Sequence, residues 1–154
     1  MGVRRGAVAA VTPSFWAGKR VLLTGHTGFK GSWAAIWLGR MGAEVTGLAL
    51  APDTEPNLFG LAGVAARTRS RIVDLRDAKG VAAALAGQAF DLVLHMAAQP
   101  IVRTSVEDPI GTFETNVMGT AHLLDALRGA TGHYRPAPAE LTQPPELSGE
   151  LRTP

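Results

Sequence analysis

Residues 20–31 read Arg20-Val21-Leu22-Leu23-Thr24-Gly25-His26-Thr27-Gly28-Phe29-Lys30-Gly31. Apolar, strand-forming residues run directly into three glycines spaced three apart, and a helical apolar pattern follows them. Glycines allow a tight turn and a close approach of the backbone to phosphate groups, while the start of a helix offers unpaired N–H groups. The strand before and the helix after supply the context that a lone glycine triplet lacks, so the segment predicts a dinucleotide-binding turn.

The remaining sequence alternates between strand and helix patterns. Asp77 is a suitable N-cap for its helix, and Asp108-Pro109 is an N-cap followed by proline at the first helical position. A helical turn is also possible around residues 58–66. The predicted strands are Arg20–Thr24, Glu44–Leu50, Arg71–Leu75 and Asp91–Met96, and the predicted helices cover Ser32–Met41, Ala78–Leu85 and residues 110–129. This order predicts an α/β fold with a Rossmann-like, doubly wound parallel sheet, truncated after about four strands.

In such a sheet, ligands bind beyond the carboxyl ends of the strands. We expect the first and fourth strands to lie side by side, so that Gly25–Gly31 and Ala97–Gln99 face one crevice. The fourth strand is apolar nearly throughout, which is typical of a strand covered on both faces.

Composition divides the chain into three parts. Residues 1–15 are expected to form a disordered leader, and residues 16–130 one nucleotide-binding domain. Residues 132–154 hold five of the ten prolines and no apolar periodicity. Because that composition cannot bury enough apolar surface to offset chain entropy, residues 131–154 are expected to be a disordered, proline-rich tail.

The bulk properties exclude several classes of function. A net charge of +2 is too small to indicate nucleic acid as a partner. The chain has no cysteine, and its four histidines lack metal-ligand spacing, so no metal site is expected. No apolar run is long enough to span a bilayer. We expect a cytoplasmic protein with no membrane partner.

Five segments together resemble a known family. They are Thr24-Gly25-His26-Thr27-Gly28-Phe29-Lys30-Gly31-Ser32-Trp33, Pro56-Asn57-Leu58-Phe59, Asp74-Leu75-Arg76-Asp77, His95-Met96-Ala97-Ala98-Gln99-Pro100-Ile101-Val102-Arg103 and Thr115-Asn116-Val117-Met118-Gly119-Thr120. The sequence from about Phe15 to Arg128 resembles the extended short-chain dehydrogenase/reductase family, and its CDP-glucose 4,6-dehydratase branch in particular.

The resemblance implies NAD as cofactor and CDP-glucose as a nucleotide-sugar substrate. The implied reaction is a lyase reaction that yields CDP-4-keto-6-deoxyglucose, a precursor for bacterial surface polysaccharide. Asp74 and Leu75 resemble the pair that meets the adenine, although a helix-capping turn with Asp77 is the alternative. The cofactor-binding residues that the resemblance and the glycine pattern indicate are Gly25, Gly28, Phe29, Lys30, Gly31, Asp74, Leu75, Ala97, Ala98 and Gln99.

Other residues have structural interpretations. Ala97 and Ala98 are small enough to let the nicotinamide ribose approach, but small residues also fit wherever helices crowd a sheet. Lys30 is either a phosphate neighbour or a solvated lysine. Phe29 is expected to pack beneath the glycine turn, and Arg103 to lie in an exposed loop. Four further residues are expected to be structural: His95 as a core histidine, Trp33 and Trp37 as core residues, and Asn116 in holding the backbone between its helix and the fourth strand. Asp53 is a candidate for binding the ribose hydroxyls.

The sequence also departs from the family. The family supplies its general base from a Tyr-x-x-x-Lys pair, whereas the one tyrosine here, Tyr134, is followed four residues later by Pro138. No catalytic residue is therefore assigned. We expect this chain to be the NAD-binding part of a dehydratase and to be inactive by itself. A frameshift near residues 129–133 is one hypothesis for why the sequence departs from the family there. The alternative is a non-catalytic nucleotide-binding or regulatory module, and a homodimer is possible but doubtful.

Overall fold

The computed structural model describes residues 12–129. The helices are α1 Pro13–Trp16, α2 Phe29–Arg40, α3 Leu58–Leu61, α4 Ala78–Leu85, α5 Val102–Glu107, α6 Pro109–Phe113 and α7 Gly119–Gly129. The strands are β1 Arg20–Thr24, β2 Glu44–Ala49, β3 Arg69–Ile72 and β4 Leu92–His95. A 3₁₀ turn covers Val64–Arg67, and one turn of π-helix, Glu114–Met118, joins α6 to α7.

The four strands form one parallel sheet in the order β3-β2-β1-β4. Thr24, the last residue of β1, pairs with Leu48 on one side and with His95 on the other. The chain order reverses at β1, because β2 and β3 lie to one side of it and β4 to the other. The predicted doubly wound parallel sheet and the pairing of the first and fourth strands are confirmed.

Two apolar clusters cover the two faces of the sheet. Alternate residues of β1 point to opposite faces, so Val21 and Leu23 join one cluster and Leu22 joins the other. The first cluster contains Ala35, Leu38 and Met41 from the α2 segment, together with Val45 and Val64. The second contains Leu48, Leu75, Val81, Leu85 and Leu123, which bring α4 and α7 onto the other face. Helices on both faces are what a parallel sheet requires.

Several predicted boundaries were displaced. The third strand was predicted over Arg71–Leu75 but is Arg69–Ile72, because an edge strand tolerates the charged residues that the apolar pattern excluded. The first long helix begins at Phe29 rather than Ser32, because extended Gly28 is its N-cap. The short helix Pro13–Trp16 occupies the last three residues of the predicted leader, and its Trp16 packs against the first cluster. Residues 1–11 and the predicted tail, residues 131–154, lie outside the described residues.

Two expectations about packing and one about a local element were wrong. The α2 helix meets the sheet through small residues such as Gly31 and Ala35, so Trp33 and Trp37 lie on its outer side, 54% and 57% exposed. The predicted double cover of the fourth strand was also wrong, since β4 is an edge strand within residues 12–129 and its side chains are exposed or half-buried. Arg103 is exposed as expected, but it lies in α5 rather than in a loop.

Candidate nucleotide-binding site

The glycine turn joins β1 to α2 through close backbone contacts. Gly25 has a φ of +74°, a backbone conformation that residues with a side chain rarely adopt. Its N–H donates to the Leu48 carbonyl at 2.9 Å. The Gly28 N–H donates to the Gly25 carbonyl at 3.1 Å. A Cβ placed on Gly31 would overlap that same carbonyl oxygen. The structure therefore brings the three predicted glycines together, and two of them have a steric reason to be glycine.

The start of α2 lacks the usual partners of a helix N-terminus. Gly28, the N-cap, is extended, and no side chain caps the helix. The first turn contains no acidic residue, and Lys30 is exposed there. Phe29 was expected to pack beneath the turn, but it is 70% exposed because it occupies the outward face at the first position of the helix. The first backbone N–H groups of a helix have no intrahelical acceptor, so this end suits an anion.

His26, inside the glycine turn, is a structural residue that the sequence analysis missed. Its ring is fully buried, with Nε2 2.7 Å from the Ser70 hydroxyl and the ring of Phe59 edge-on at 5.4 Å. A Cβ on Gly47 of β2 would overlap the imidazole. Burial lowers the pKa of His26, which favours the neutral form of the ring. The glycine inside the second strand was the available indication that a bulky group approaches there.

Two hydroxyls hold the turn from either side. The Thr27 hydroxyl donates to the Leu50 carbonyl at 2.9 Å, which ties the turn to the end of β2. The Ser32 hydroxyl donates to the His26 carbonyl at 3.0 Å, which ties α2 back to the turn. Both threonine and serine are buried. The turn is thus fixed by hydrogen bonds of its own residues before any ligand binds.

The end of β4 lies against the glycine turn. A Cβ on Gly25 would be only 2.8 Å from the Ala97 nitrogen, so the two segments are in contact. The Ala97 side chain packs against the second apolar cluster, while Ala98 is exposed. The predicted crevice between the glycine turn and the segment after the fourth strand therefore has its two walls adjacent.

Asn116, in the π-helical turn, holds the segment after β4, as predicted. Its amide oxygen accepts from the Gln99 N–H at 2.8 Å, and its Nδ2 donates to the Gln99 carbonyl at 3.1 Å. The Gln99 side chain is itself engaged, since Nε2 donates to the Thr112 hydroxyl at 2.9 Å. Its Oε1 accepts from the Ile101 N–H. Gln99 is thus held on both its backbone and its side chain.

Asp74 and Leu75 follow β3 in a turn that also starts α4. The Arg76 guanidinium contacts the Asp74 carboxylate at 2.6 Å and holds the pKa of that carboxyl below its usual value. Leu75 is 5% exposed and belongs to the second apolar cluster, and its carbonyl accepts from His122 Nδ1 at 2.9 Å. Asp77 caps α4 by accepting from the N–H groups of residues 79 and 80. The Asp74 carbonyl accepts from the Asp77 N–H at 3.1 Å, so Asp74 is also part of the turn that leads into α4.

His95 has partners on both ring nitrogens, as expected of a structural histidine, but its side chain is exposed rather than in the core. The cause is its position on the edge strand β4. Asp53, the candidate for the ribose hydroxyls, is exposed in the loop after β2. Among residues 12–129, no group of three or more acidic or histidine side chains is placed to hold a metal ion. No helix in that range is long and apolar enough to cross a membrane.

Comparison with known proteins places this geometry in a family. The family model described as GDP-mannose 4,6-dehydratase matches residues 22–137, and so runs past the domain end expected near residue 130. The CDP-glucose 4,6-dehydratase of Salmonella typhimurium (strain LT2) is 49% identical over 118 residues, which cover 77% of this chain and 33% of that protein.

Solved structures agree with the sequence comparison. The Thermus thermophilus UDP-glucose 4-epimerase in complex with NAD is 38% identical, with a TM-score of 0.59 over 71% of this chain and 33% of its own. The Stenotrophomonas maltophila UDP-glucose 4-epimerase with bound NAD and formylated UDP-arabinopyranose has a TM-score of 0.63 at 30% identity, over 73% of this chain and 34% of its own. The chain spans about a third of the length of these relatives. The resemblance noted in the sequence is confirmed, and the chain belongs to the GDP-mannose 4,6-dehydratase family of sugar-nucleotide dehydratases and epimerases.

Proposed function

We propose that this chain is the NAD-binding part of a nucleotide-sugar 4,6-dehydratase, and that residues 25–31 hold the cofactor's pyrophosphate. The contact between Gly31 and the Gly25 carbonyl is the observation that carries the proposal. It brings the first turn of α2 against the end of β1 with no side chain between them. In folds of this class, the backbone N–H groups at such a helix start bind the dinucleotide phosphate.

Charge supports an anionic ligand at this point. The positive end of a helix dipole disfavours a lysine in the first turn, yet Lys30 lies there with no acidic neighbour in that turn. A bound pyrophosphate would reverse the sign of that interaction. Exposed Gly28 has only ordinary van der Waals contact at its Cβ position, 3.4 Å from the Gly25 carbonyl oxygen. Its lack of a side chain is better explained by a ligand outside the turn than by packing inside it.

The two ends of the dinucleotide are assigned to the flanking segments. Asp74 would contact the adenine, and Leu75 would pack beneath the adenine from the second apolar cluster. Ala97, Ala98 and Gln99 would line the nicotinamide half, next to the glycine turn. Phe29 would flank the phosphates from its exposed position at the start of α2.

CDP-glucose is the proposed nucleotide sugar of the whole enzyme, because the 49% identical Salmonella protein is a CDP-glucose 4,6-dehydratase. When bound, NAD+ supplies the hydride acceptor for oxidation of the sugar. The residues of this chain bind and orient the cofactor. Since its sequence contains no Tyr-x-x-x-Lys pair, we propose that the 154-residue chain does not turn over the sugar nucleotide by itself.

Calorimetric titration of the 154-residue chain with NAD+ and NADP+ tests the proposal. We expect saturable NAD+ binding with weaker NADP+ binding, and no 4-keto sugar product from CDP-glucose. Absence of NAD+ binding by a folded chain would overturn the cofactor assignment. Product formation would show that the chain is itself a dehydratase. The second candidate, which the missing Tyr-x-x-x-Lys pair favours, is a non-catalytic nucleotide-binding module. Such a module would bind NAD+, but it would not gain turnover of CDP-glucose when the catalytic part of a relative is added.

A further inference from the structure

The Asp74 carboxylate is held by one neighbour. Among residues 12–129, its hydrogen bonds come from Arg76 alone. The Arg76 N–H donates to Oδ1 at 2.9 Å, and Nη2 donates to Oδ2 at 2.6 Å. Nε lies between the two oxygens, 3.1 Å from Oδ1 and 3.0 Å from Oδ2. Because the planar guanidinium contacts both oxygens, it fixes the orientation of the carboxylate as well as its position.

The backbone around Asp74 is held independently of the carboxylate. The Asp74 carbonyl accepts from the Asp77 N–H at 3.1 Å, and Asp77 in turn caps α4. The next residue, Leu75, is buried in the second apolar cluster, and its carbonyl accepts from His122 Nδ1 at 2.9 Å. Removal of the Arg76 guanidinium would therefore release the carboxylate and leave the turn in place.

Counting donors and acceptors leaves room on the carboxylate for one ligand donor. An ionised carboxylate only accepts, and it offers about four lone-pair positions. Arg76 supplies three hydrogens, from its backbone N–H, from Nε and from Nη2. The Asp74 side chain is 30% exposed, so a ligand can reach it from the surface. The Arg76 guanidinium also holds the pKa of Asp74 below its usual value, which keeps the carboxylate ionised.

The chemistry of the carboxylate favours one purine over another. The exocyclic amino group of adenine donates a hydrogen bond, whereas hypoxanthine has a carbonyl oxygen at the same ring position, which accepts. A carboxylate fixed in orientation would bind the amino group and repel the oxygen. A carboxylate free to rotate would turn away from that oxygen. Selectivity between the two bases therefore depends on how firmly Asp74 is held.

We propose that Arg76 is a positioning residue of the cofactor site and that it makes this site selective for adenine over hypoxanthine, an inference that rests on the proposed function. Arg76 acts through Asp74, whose carboxylate it presents to the exocyclic amino group. The guanidinium itself does not contact the base. A lysine at this position would keep the positive charge but would lack the fork of donors that fixes the carboxylate plane.

The test measures the affinity of the 154-residue chain for NAD+ and for nicotinamide hypoxanthine dinucleotide by calorimetry. The wild type should prefer NAD+ at least about tenfold, because the analogue leaves the buried side of the pairing unmatched. Arg76→Met should weaken NAD+ binding about tenfold and change binding of the analogue by less than about threefold, so that most of the preference is lost. Arg76→Lys should recover only part of it. Circular dichroism checks that each variant is folded.

Arg20→Met is the matched control. Arg20 also donates its backbone N–H and its guanidinium to one carboxylate, that of Asp91, but at the amino ends of the strands. Its loss should leave the preference for NAD+ unchanged. A merely structural effect of losing an arginine–aspartate pair would act on both dinucleotides alike, whereas the positioning role acts on the ratio of the two affinities.

The outcomes separate this inference from the proposed function. A folded Arg76→Met protein with wild-type affinity and preference would overturn the inference and leave the proposed function intact. An Arg76→Lys protein identical to wild type would also overturn it, because charge alone would then suffice. Should Arg76→Met not fold, Arg76→Lys decides the question. If the wild type binds no NAD+, the proposed function fails and the inference fails with it.

Discussion

The carbonyl oxygen of Gly25 occupies the space that a side chain on Gly31 would need. This contact joins the glycine turn after β1 to the first turn of α2, and it sets the distance between the helix and the sheet. The requirement for glycine at position 31 thus comes from backbone packing. At position 28, where the surroundings are open, we assign the requirement for glycine to the proposed cofactor.

Gly31→Ala should destabilise the fold. The added methyl group overlaps the Gly25 carbonyl, and overpacking of this kind costs about 1–3 kcal/mol of unfolding free energy or more. Gly39→Ala, on the same helix with open space around the new methyl group, is the control and should stabilise by about 0.5–1 kcal/mol. Urea titration measures both. Equal stability of the two variants would contradict the assigned contact.

Gly28→Ala should leave the fold intact and weaken NAD+ binding. The new methyl group has only ordinary contact with the Gly25 carbonyl, but it would stand between the turn and the pyrophosphate. We expect at least tenfold weaker binding, which corresponds to about 1.4 kcal/mol. Calorimetry with Gly39→Ala as control checks this. Wild-type affinity in Gly28→Ala would place the phosphates elsewhere.

Asp74→Ala should lower the affinity for NAD+ and for ADP-ribose by the same factor, since both ligands contain the adenine. Loss of a hydrogen bond to a charged group costs about 1.5–3 kcal/mol, or roughly tenfold or more. Asp91→Ala is the matched control, because Asp91 also pairs with an arginine, Arg20, but at the amino ends of the strands. If the two variants bind both ligands alike, the adenine assignment is wrong.

The unfolding free energy should fall as the pH drops below about 6.5. Burial lowers the pKa of His26, and partial desolvation lowers the pKa of the more exposed His95, in each case from an ordinary value of 6.5. Below that pH the unfolded chain binds protons that the folded chain refuses, so stability present above pH 6.5 is progressively lost. The lowered pKa of Asp74 acts only at more acidic pH, from an ordinary value of 3.8. Urea titrations from about pH 5.5 to 7.5 should show this slope, and a flat profile would contradict the lowered pKa of the two histidines.

Gly47→Ala should destabilise by about 1–3 kcal/mol, because the new methyl group overlaps the buried imidazole of His26. The double variant Gly47→Ala/His26→Ala should be less destabilised than the two single variants added together, since removing the ring removes the clash. Thermal unfolding of all four proteins measures the coupling. Strict additivity would show that ring and strand are not in contact.

The elements that local chemistry specifies were predictable from the sequence. The strand before the glycines, the Asp77 cap of α4 and the Asp108-Pro109 start of α6 all lie where their residue types indicated. Each depends on contacts within a few residues of the chain. The glycine turn and the segment after β4 were predicted to face each other because both follow strand ends, although the contact between Gly25 and Ala97 joins residues far apart in the chain.

Features that depend on distant packing were not predictable. Large apolar residues normally face the core, but the close approach of α2 to the sheet reserves its inner face for Gly31 and Ala35 and turns both tryptophans outward. The burial of His26 depends on Gly47, which lies in another strand. The helix α5 was missed because its apolar residues, Val102 and Val106, are exposed and form no stripe against a core.

Backbone amide shifts on addition of NAD+ test the central claim most directly. In ¹H–¹⁵N spectra of the 154-residue chain, the account predicts the largest shifts at residues 25–31, with further shifts at 74–75 and 97–99. These segments all follow the carboxyl ends of strands. Shifts confined to the opposite end of the sheet, around Arg20 and Arg69, or no shifts at saturating NAD+, would contradict it.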